Sequence, residues 1–467
     1  MKKAATSSFL IACMACLLLQ SCFVARKYER PGLEDMDQLY RTDQLPADST
    51  SAATIPWEDY FKDPILREYI EEGLENNLDI RIALQHLIAA EAYMKQGKVG
   101  YFPSLQGKAS LTHQELAGNS QFGSFFNGAI EQYELSASFS WEADIWGKIR
   151  SNRRASLAAY LQQVATHKAV KTQLVSQIAG NYYQLLALDA QYAITEQTIE
   201  NRKASLETIK ALKEAGNVTQ VAVDQTAAQL YNSQGLLVDL EERIFRTENT
   251  LSYLLGQPGQ EIARGSLQEQ EPLVLPEPGV PAALLRNRPD VMASEYGLIN
   301  AFELTNVARS NFYPSFSITG TGGLQSLEFK NWFDSGSLFA NLVASLTQPI
   351  FNRRQVRTQY EVARATQEES LINFRKTLLL AGQEVSNALY TFQAESRKYG
   401  FREQEVQVLQ RAEIHSEALL KNGFGTYLDL LTARQNALNA ELNAIDSRLQ
   451  QMQANITLYR ALGGGWQ

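Results

Sequence analysis

Cys22 is the residue of this 467-residue chain with the plainest covalent chemistry. It closes the stretch Leu19-Gln20-Ser21-Cys22, which resembles a bacterial lipobox. In such a motif the cysteine is lipidated and becomes the new N-terminus. Gln20 stands where a small residue is usual, and ordinary signal cleavage nearby is the other reading of the same residues. Cys13 and Cys16 lie in the segment that cleavage removes, so the exported chain carries no disulfide and no second thiol.

Elsewhere the residue types that do chemistry do not assemble. His86, His113, His167 and His415 are far apart and lack metal-ligand spacing. There is no phosphate loop and no nucleophile elbow. No cofactor and no metal is expected, and the sequence reads as that of a non-enzyme. Thr426-Tyr427-Leu428-Asp429 has the spacing of a helix capping box, with Asp in place of Glu. Arg288-Pro289-Asp290 reads as the start of a helix: proline suits the first turn, and aspartate favours the positive end of the helix dipole. Glu142, Asp144, Lys148, Arg150, Arg353 and Arg354 gather where strands would turn into helices, and read as solvated ion pairs.

The elements holding these residues begin after a leader. Lys2 and Lys3 precede an apolar run of about 11 residues, from Phe9 to Leu19, too short for a bilayer that needs about 20. Residues 1–21 therefore read as a lipoprotein signal peptide, and 22–56 as an extended polar tether. The formal charge is −8, and loss of the two leader lysines makes it about −10. Such acidity argues against nucleic acid as the partner. Past the leader no run approaches 18 apolar residues, so any membrane crossing has to be made by strands.

From Trp57 to about Gly100 the pattern is helical, with Leu84, Leu87, Ile88 and Ala92 on one face. Strands are expected over about 104–113 and 131–142, separated by a Gly/Asn/Ser-rich loop. The second strand alternates cleanly. Tyr133, Leu135, Ala137, Phe139 and Trp141 share one face; Glu134, Ser136, Ser138 and Ser140 share the other. Residues 151–256 contain no proline, and the only break is Gly216-Asn217, so two helices are expected at about 151–214 and 219–255. The first would be about 95 Å long, far beyond an ordinary globular helix. A linker at 257–281 holds five of the 13 prolines.

After the linker the pattern repeats. Tyr101-Phe102-Pro103-Ser104 matches Phe312-Tyr313-Pro314-Ser315, and Asn77-Leu78-Asp79-Ile80 matches Arg288-Pro289-Asp290-Val291, both 211 residues on. Gly216 matches Gly423, and Leu255-Gly256 matches Leu462-Gly463, both at 207. The chain is thus two copies, 57–256 and 282–467. The second has strands near 315–325 and 337–348 and helices near 352–422 and 426–462. Four strands of membrane-spanning length cannot close a barrel, because an open edge in lipid leaves backbone groups unpaired. Closure needs several chains.

The chain resembles the TolC family of outer-membrane efflux channels, in its lipoprotein (NodT/OprM-like) branch serving tripartite RND-type pumps. The resemblance is carried by LLRNRPDV at 284–291, FYPSFSITG at 312–320, SWEADIWGKIR at 140–150, KNGFGTYLDLLTARQ at 421–435 and LYRALGGGW at 458–466. It implies an α+β membrane protein: a homotrimer whose twelve strands form one barrel, continued by a long α-helical periplasmic barrel. It implies an outer-membrane location in a Gram-negative cell. The partners it implies are a periplasmic adaptor, an inner-membrane RND pump and outer-membrane lipid, with drugs or other small molecules as cargo. Asp429 falls where the family places an aspartate that rings the periplasmic end. The family's second acidic position holds Thr432, and Asp224 is the first repeat's weaker counterpart. The tips Gly216, Asn217, Gly423, Phe424 and Gly425 would face the adaptor. Tyr133, Leu135, Ala137, Phe139 and Trp141 would face lipid. Two other readings stay open: an exported coiled-coil scaffold without a channel, and a protein exporter of the same architecture.

Overall fold

The computed structural model describes residues 24–32, 39, 54–120, 123, 129–270 and 284–467. Cys22, the leader and part of the 257–281 linker lie outside the described residues.

Seven longer helices and four strands run in the order α1 (Pro64–Asn76), α2 (Leu78–Val99), β1 (Ser104–Glu115), β2 (Ala129–Glu142), α3 (Lys148–Glu214), α4 (Gln220–Leu254), α5 (Pro289–Ser310), β3 (Ser315–Ser326), β4 (Leu338–Thr347), α6 (Gln355–Lys421) and α7 (Tyr427–Leu462). Both α3 and α6 have 67 residues, so each is about 100 Å long. Asp144 accepts from the backbone of Ile149 and Arg150 at 2.9 and 3.0 Å, which explains why α3 starts at 148 rather than 151. Asp144 is a cap rather than a member of the expected ion pairs. Of that cluster, Glu142 pairs with Lys148 at 3.0 Å and Arg354 with Glu361 at 3.0 Å.

The elements fall into two compact units. One comprises the described residues within 24–31, 88–162 and 294–374. It contains an antiparallel sheet in the order β1-β2-β3-β4, with Phe139 opposite Leu105 on one side and Gly320 on the other. The outer edges of β1 and β4 have no partner among the described residues. Arg26 and Arg30 of the N-terminal segment are held in this unit. Arg26 exchanges hydrogen bonds with the Asn306 side chain, at 3.1 and 2.9 Å, and Arg30 forms a two-pronged ion pair with Glu295.

The other unit comprises the described residues within 32–87, 163–293 and 375–467. Its core joins Trp57, Phe61, Leu66 and Ile70 to Leu174, Ile178, Tyr182 and Leu185 of α3, and to Leu251, Leu255 and Tyr459. The helical spacing of the α3 residues puts them on one stripe, and that stripe is the one buried. Tyr60 stacks on Tyr459 with ring centres 3.9 Å apart.

The apolar line expected on a helix is on α2. Leu84 and Ile88 are 41% and 51% exposed, whereas Ile80, Ala83 and Met94 are buried. In the single chain α2 packs through a neighbouring face and leaves the Leu84 line uncovered.

Candidate functional site

Two arrangements carry functional content, one in each unit. The first is the sheet. Strand side chains alternate, so the antiparallel register collects one set on each face. Leu105 and Leu111 of β1 join Tyr133, Leu135, Ala137, Phe139 and Trp141 of β2. Ile318 and Leu324 of β3 and Leu338 and Leu342 of β4 complete the same face. It is open: Leu105, Leu338 and Leu342 are each at least 70% exposed. The opposite face is polar and hydrogen-bonded, with Ser136 Oγ donating to Glu134 at 2.7 Å and Ser317 Oγ 2.8 Å from Ser345 Oγ. Phe339 and Val343 break that polarity, opposite Gly323 and Thr319.

Aromatic rings mark both ends of the apolar face. Tyr133 lies against Phe329 and Trp332 of the β3–β4 connection, with centroids 5.5 and 5.6 Å away. Trp141 donates from Nε1 to the Tyr101 carbonyl at 2.9 Å. Trp141 stands eight positions after Tyr133, about 27 Å along a strand.

The second arrangement is the pair of helix reversals. Gly216 has φ +78° and donates to the Lys213 carbonyl, while Asn217 donates to Leu212. Gly423 has φ +77° and donates to Leu420, while Phe424 donates to Leu419. This is the same six-residue Schellman closure in both copies, and it requires a left-handed residue that glycine supplies without a Cβ clash. Phe424 is 82% exposed at the tip.

The helices leaving the two tips are capped differently. Thr426 and Asp429 form the capping box that their spacing predicts: Asp429 N donates to Thr426 Oγ1 at 3.2 Å, and Thr426 N donates to Asp429 Oδ2 at 3.0 Å. The Thr426 hydroxyl donates to the same carboxylate oxygen at 2.6 Å. These bonds, the hydroxyl's first, hold the exposed Asp429 carboxyl below its usual range. In the first copy Thr219 caps without a side-chain bond, and Ala222 at the matching third position has no carboxylate to complete a box. Asp224 is exposed and accepts from Gln220 at 2.9 Å; Thr432 is exposed and bonds back to the Leu428 carbonyl at 2.8 Å. Neither of these bonds involves Asp429.

Behind the tips lie polar links that the sequence reading misses. Arg202, 6% exposed, donates to the Gln229 carbonyl and Ser233 Oγ of α4 and to Gln435 Oε1 of α7, and meets no carboxylate among the described residues. Burial lowers its guanidinium pKa, the direction expected for a cation removed from water without a counter-charge. Thr226 Oγ1 lies 3.0 Å from the Tyr427 hydroxyl, and Arg434 donates to Ser205 Oγ at 2.6 Å. A signal was present: Thr195, Ile199, Arg202 and Ile209 follow a core spacing along α3, and an arginine stands within it.

An efflux-channel fold accounts for both arrangements. The outer membrane efflux protein family model matches residues 69–257 and 280–464, one match per copy. The chain belongs to that family. It is 27% identical over 464 residues to the solvent efflux pump outer membrane protein SrpC of Pseudomonas putida, covering 97% of each. It is 30% identical over 417 residues to the pyoverdine export outer membrane protein OpmQ of Pseudomonas putida, covering 88% of each. Its fold matches the open state of the MtrE outer membrane channel of Neisseria gonorrhoeae with a TM-score of 0.85. That match spans 95% of this chain and 98% of the other at 25% identity.

Proposed function

We propose that this protein is the outer-membrane channel of a tripartite RND-type efflux pump, a passive conduit built from three copies of the chain. The observation that carries the proposal is the four-stranded sheet with two unpaired edges and one exposed apolar face. Pairing β4 of one copy with β1 of the next satisfies both edges, and three copies supply twelve strands. The distance between Tyr133 and Trp141 is on the scale of the ~25 Å apolar band of membrane barrels, whose aromatic girdles lie at both rims. Tyr133, Leu135, Ala137, Phe139 and Trp141 then face lipid, and Glu134, Ser136 and Ser138 line the lumen.

The helices support the same assembly. Tyr231, Val238 and Phe245 of α4 are all more than 60% exposed and recur every seventh residue. A stripe of that kind needs a helix from another copy to cover it. A scaffold without a membrane leaves the apolar sheet face with no occupant. In the proposed assembly Asp429 forms a ring of three carboxylates at the periplasmic end. Gly216, Asn217, Gly423, Phe424 and Gly425 are the tips presented to the adaptor. Cys22 carries the lipid anchor in the outer membrane of a Gram-negative cell. The named relatives serve solvent and pyoverdine efflux, which supports small molecules as cargo. Energy comes from the inner-membrane pump, so the conduit itself needs no catalytic group.

The test is the oligomer mass in detergent together with membrane fractionation. A species three times the chain mass in the outer-membrane fraction is expected. A soluble monomer overturns the reading.

A further inference from the structure

Where β2 leaves the sheet and β3 enters it, two dipeptides lock together. Ile145-Trp146 follows β2, and Tyr313-Pro314 precedes β3. The Trp146 ring stacks on Tyr313 with centroids 4.9 Å apart, and its Nε1 donates to the Pro314 carbonyl at 2.7 Å. Ala143 N donates to the Phe316 carbonyl at 3.0 Å, so backbone pairing continues past the strand end toward this contact. The β2–β3 seam is thus closed by an aromatic clasp at the end where strands give way to helices.

The internal repeat supplies both halves of that clasp a second time. Ile350-Phe351, after β4, repeats Ile145-Trp146, and Phe102-Pro103, before β1, repeats Tyr313-Pro314. These halves flank the two strands whose outer edges have no partner among the described residues. Ile350 is 97% exposed, Phe351 87% and Phe102 71%, whereas Trp146 is partly buried. The copy that has a neighbouring strand covers its clasp, and the copy that lacks one leaves its clasp in the open.

The backbone after Phe351 is unusual as well. Arg353 and Arg354 have φ +51° and +67°, where the first copy uses Gly147 at +81°. Left-handed arginines are sterically disfavoured and persist where their surroundings fix them. Phe351 stands four residues before α6, and Trp146 only two before α3, so the second clasp is carried on a longer turn.

We propose that Ile350 and Phe351 of one copy pack on Phe102 and Pro103 of the next, closing the β4–β1 seam as Trp146 and Tyr313 close the β2–β3 seam. The occupant is a second copy of this chain, because each chain carries one half of the clasp on each edge of its sheet. A contact between two different edges repeats head to tail and closes as a ring. The chain's own halves do not meet, since four strands are too few to curl into a barrel. Phenylalanine has no N–H, so the seam between copies is apolar where the internal one is hydrogen-bonded. This contact rests on the conduit reading and names the residues at which its copies join.

The test puts the photo-cross-linker p-benzoylphenylalanine in place of Phe351 in the full-length protein in detergent. The same group in place of Trp146 is the internal control. Irradiation of the first protein should give bands of two and three chain masses on a denaturing gel, at least tenfold above the unirradiated sample. Peptide mapping should find the label within residues 99–105. The control should stay at one chain mass, with its label within residues 313–316. If the bulky group prevents assembly, Phe351→Cys combined with Phe102→Cys and a short bismaleimide gives the same readout. A label within the same chain, a label on another copy outside 99–105, or no cross-link overturns the contact. With any of those results, a three-chain mass for the untreated protein leaves the conduit reading standing, and a one-chain mass ends both.

Discussion

Asn77 and Arg288 occupy matching places in the two copies, and each donates a hydrogen bond to a matching carbonyl at the end of its own copy's last helix. Asn77 Nδ2 reaches the Leu254 oxygen at 2.8 Å, and Arg288 Nη1 reaches that of Ala461 at 3.1 Å. The side chains differ completely, yet the contact persists. What is retained is the closure of an orphan helix-terminal acceptor, a group that costs stability when buried unbonded.

The two residues should therefore both matter, in unequal degree. Asn77 also accepts from Asp79 N and Ile80 N as the cap of α2, so Asn77→Ala should cost about 1–3 kcal/mol. Arg288→Met removes the carbonyl bond and leaves Asp290 and Glu384 without their cation. Those carboxylates are 44% and 34% exposed, so the loss falls below that of a fully buried pair, at about 2–3 kcal/mol. Denaturant unfolding in detergent measures both. A change within 0.5 kcal/mol of zero for Arg288→Met would remove the basis for this equivalence.

The four helix-ending glycines separate two costs that are usually confounded. Gly216, Gly256, Gly423 and Gly463 all have φ between +77° and +100°. At 216 and 423 an added Cβ would meet nothing within 4 Å, whereas at 256 and 463 it would lie 2.6 and 2.4 Å from the carbonyls of Asn76 and Asn287. Alanine at 216 or 423 should cost only the backbone strain, about 1–2 kcal/mol. Alanine at 256 or 463 should cost clearly more. Unfolding curves of the four variants in parallel give the answer, and equal losses would refute the distinction.

Much of this is readable from sequence because it rests on local rules. Period-two alternation in 133–141 and the glycine demand of a left-handed helix end depend on residues a few places apart. So does the box at 426–429. The duplication is readable because Pro103 and Pro314, or Gly256 and Gly463, keep their offsets. Asp144 is misread because a cap and an ion pair need the same charge near the same turn; only geometry separates them. Arg202, Arg434 and Thr226 are missed because their partners lie on other helices. The contact between Thr226 and Tyr427 spans 201 residues and leaves no periodic trace. The Leu84 line of α2 lies on a helix as its spacing implies, but spacing alone does not say that it is exposed in the single chain.

The two faces of β2 should respond oppositely to charge. Leu135 and Ser138 lie three residues apart on opposite faces, the former 41% exposed on the apolar side. In the proposed barrel, Leu135→Lys puts an ammonium into lipid, a cost of about 2–4 kcal/mol near the midplane. Loss of trimer from the outer-membrane fraction is expected. Ser138→Lys should assemble normally and reduce cation conductance through a more positive lumen. If both variants assemble equally well, the lipid-facing assignment fails.

The capping role of Asp429 and the gate role proposed for it can be separated by pH and mutation. As a cap, its carboxylate is stabilised by Thr426, so its folded pKa lies below the ordinary 3.8. A depressed carboxyl contributes stability that is full above about pH 3.8 and disappears as pH falls through the folded value. Asp429→Asn should flatten that acid-side loss while keeping most of the cap's shape. As a gate, three copies around one axis would repel one another and hold cations. Both Asp429→Asn and Asp429→Ala should then raise single-channel conductance in planar bilayers at neutral pH and weaken block by multivalent cations. A purely structural Asp429 predicts a different split: Asn would behave as wild type in conductance, and only Ala, which loses the box altogether, would alter the channel. Conductance of the Asn variant is therefore the deciding measurement. The first copy gives the internal reference: Ala222 already lacks the carboxylate at the matching tip, and Ala222→Asp should create a capping box with Thr219 there.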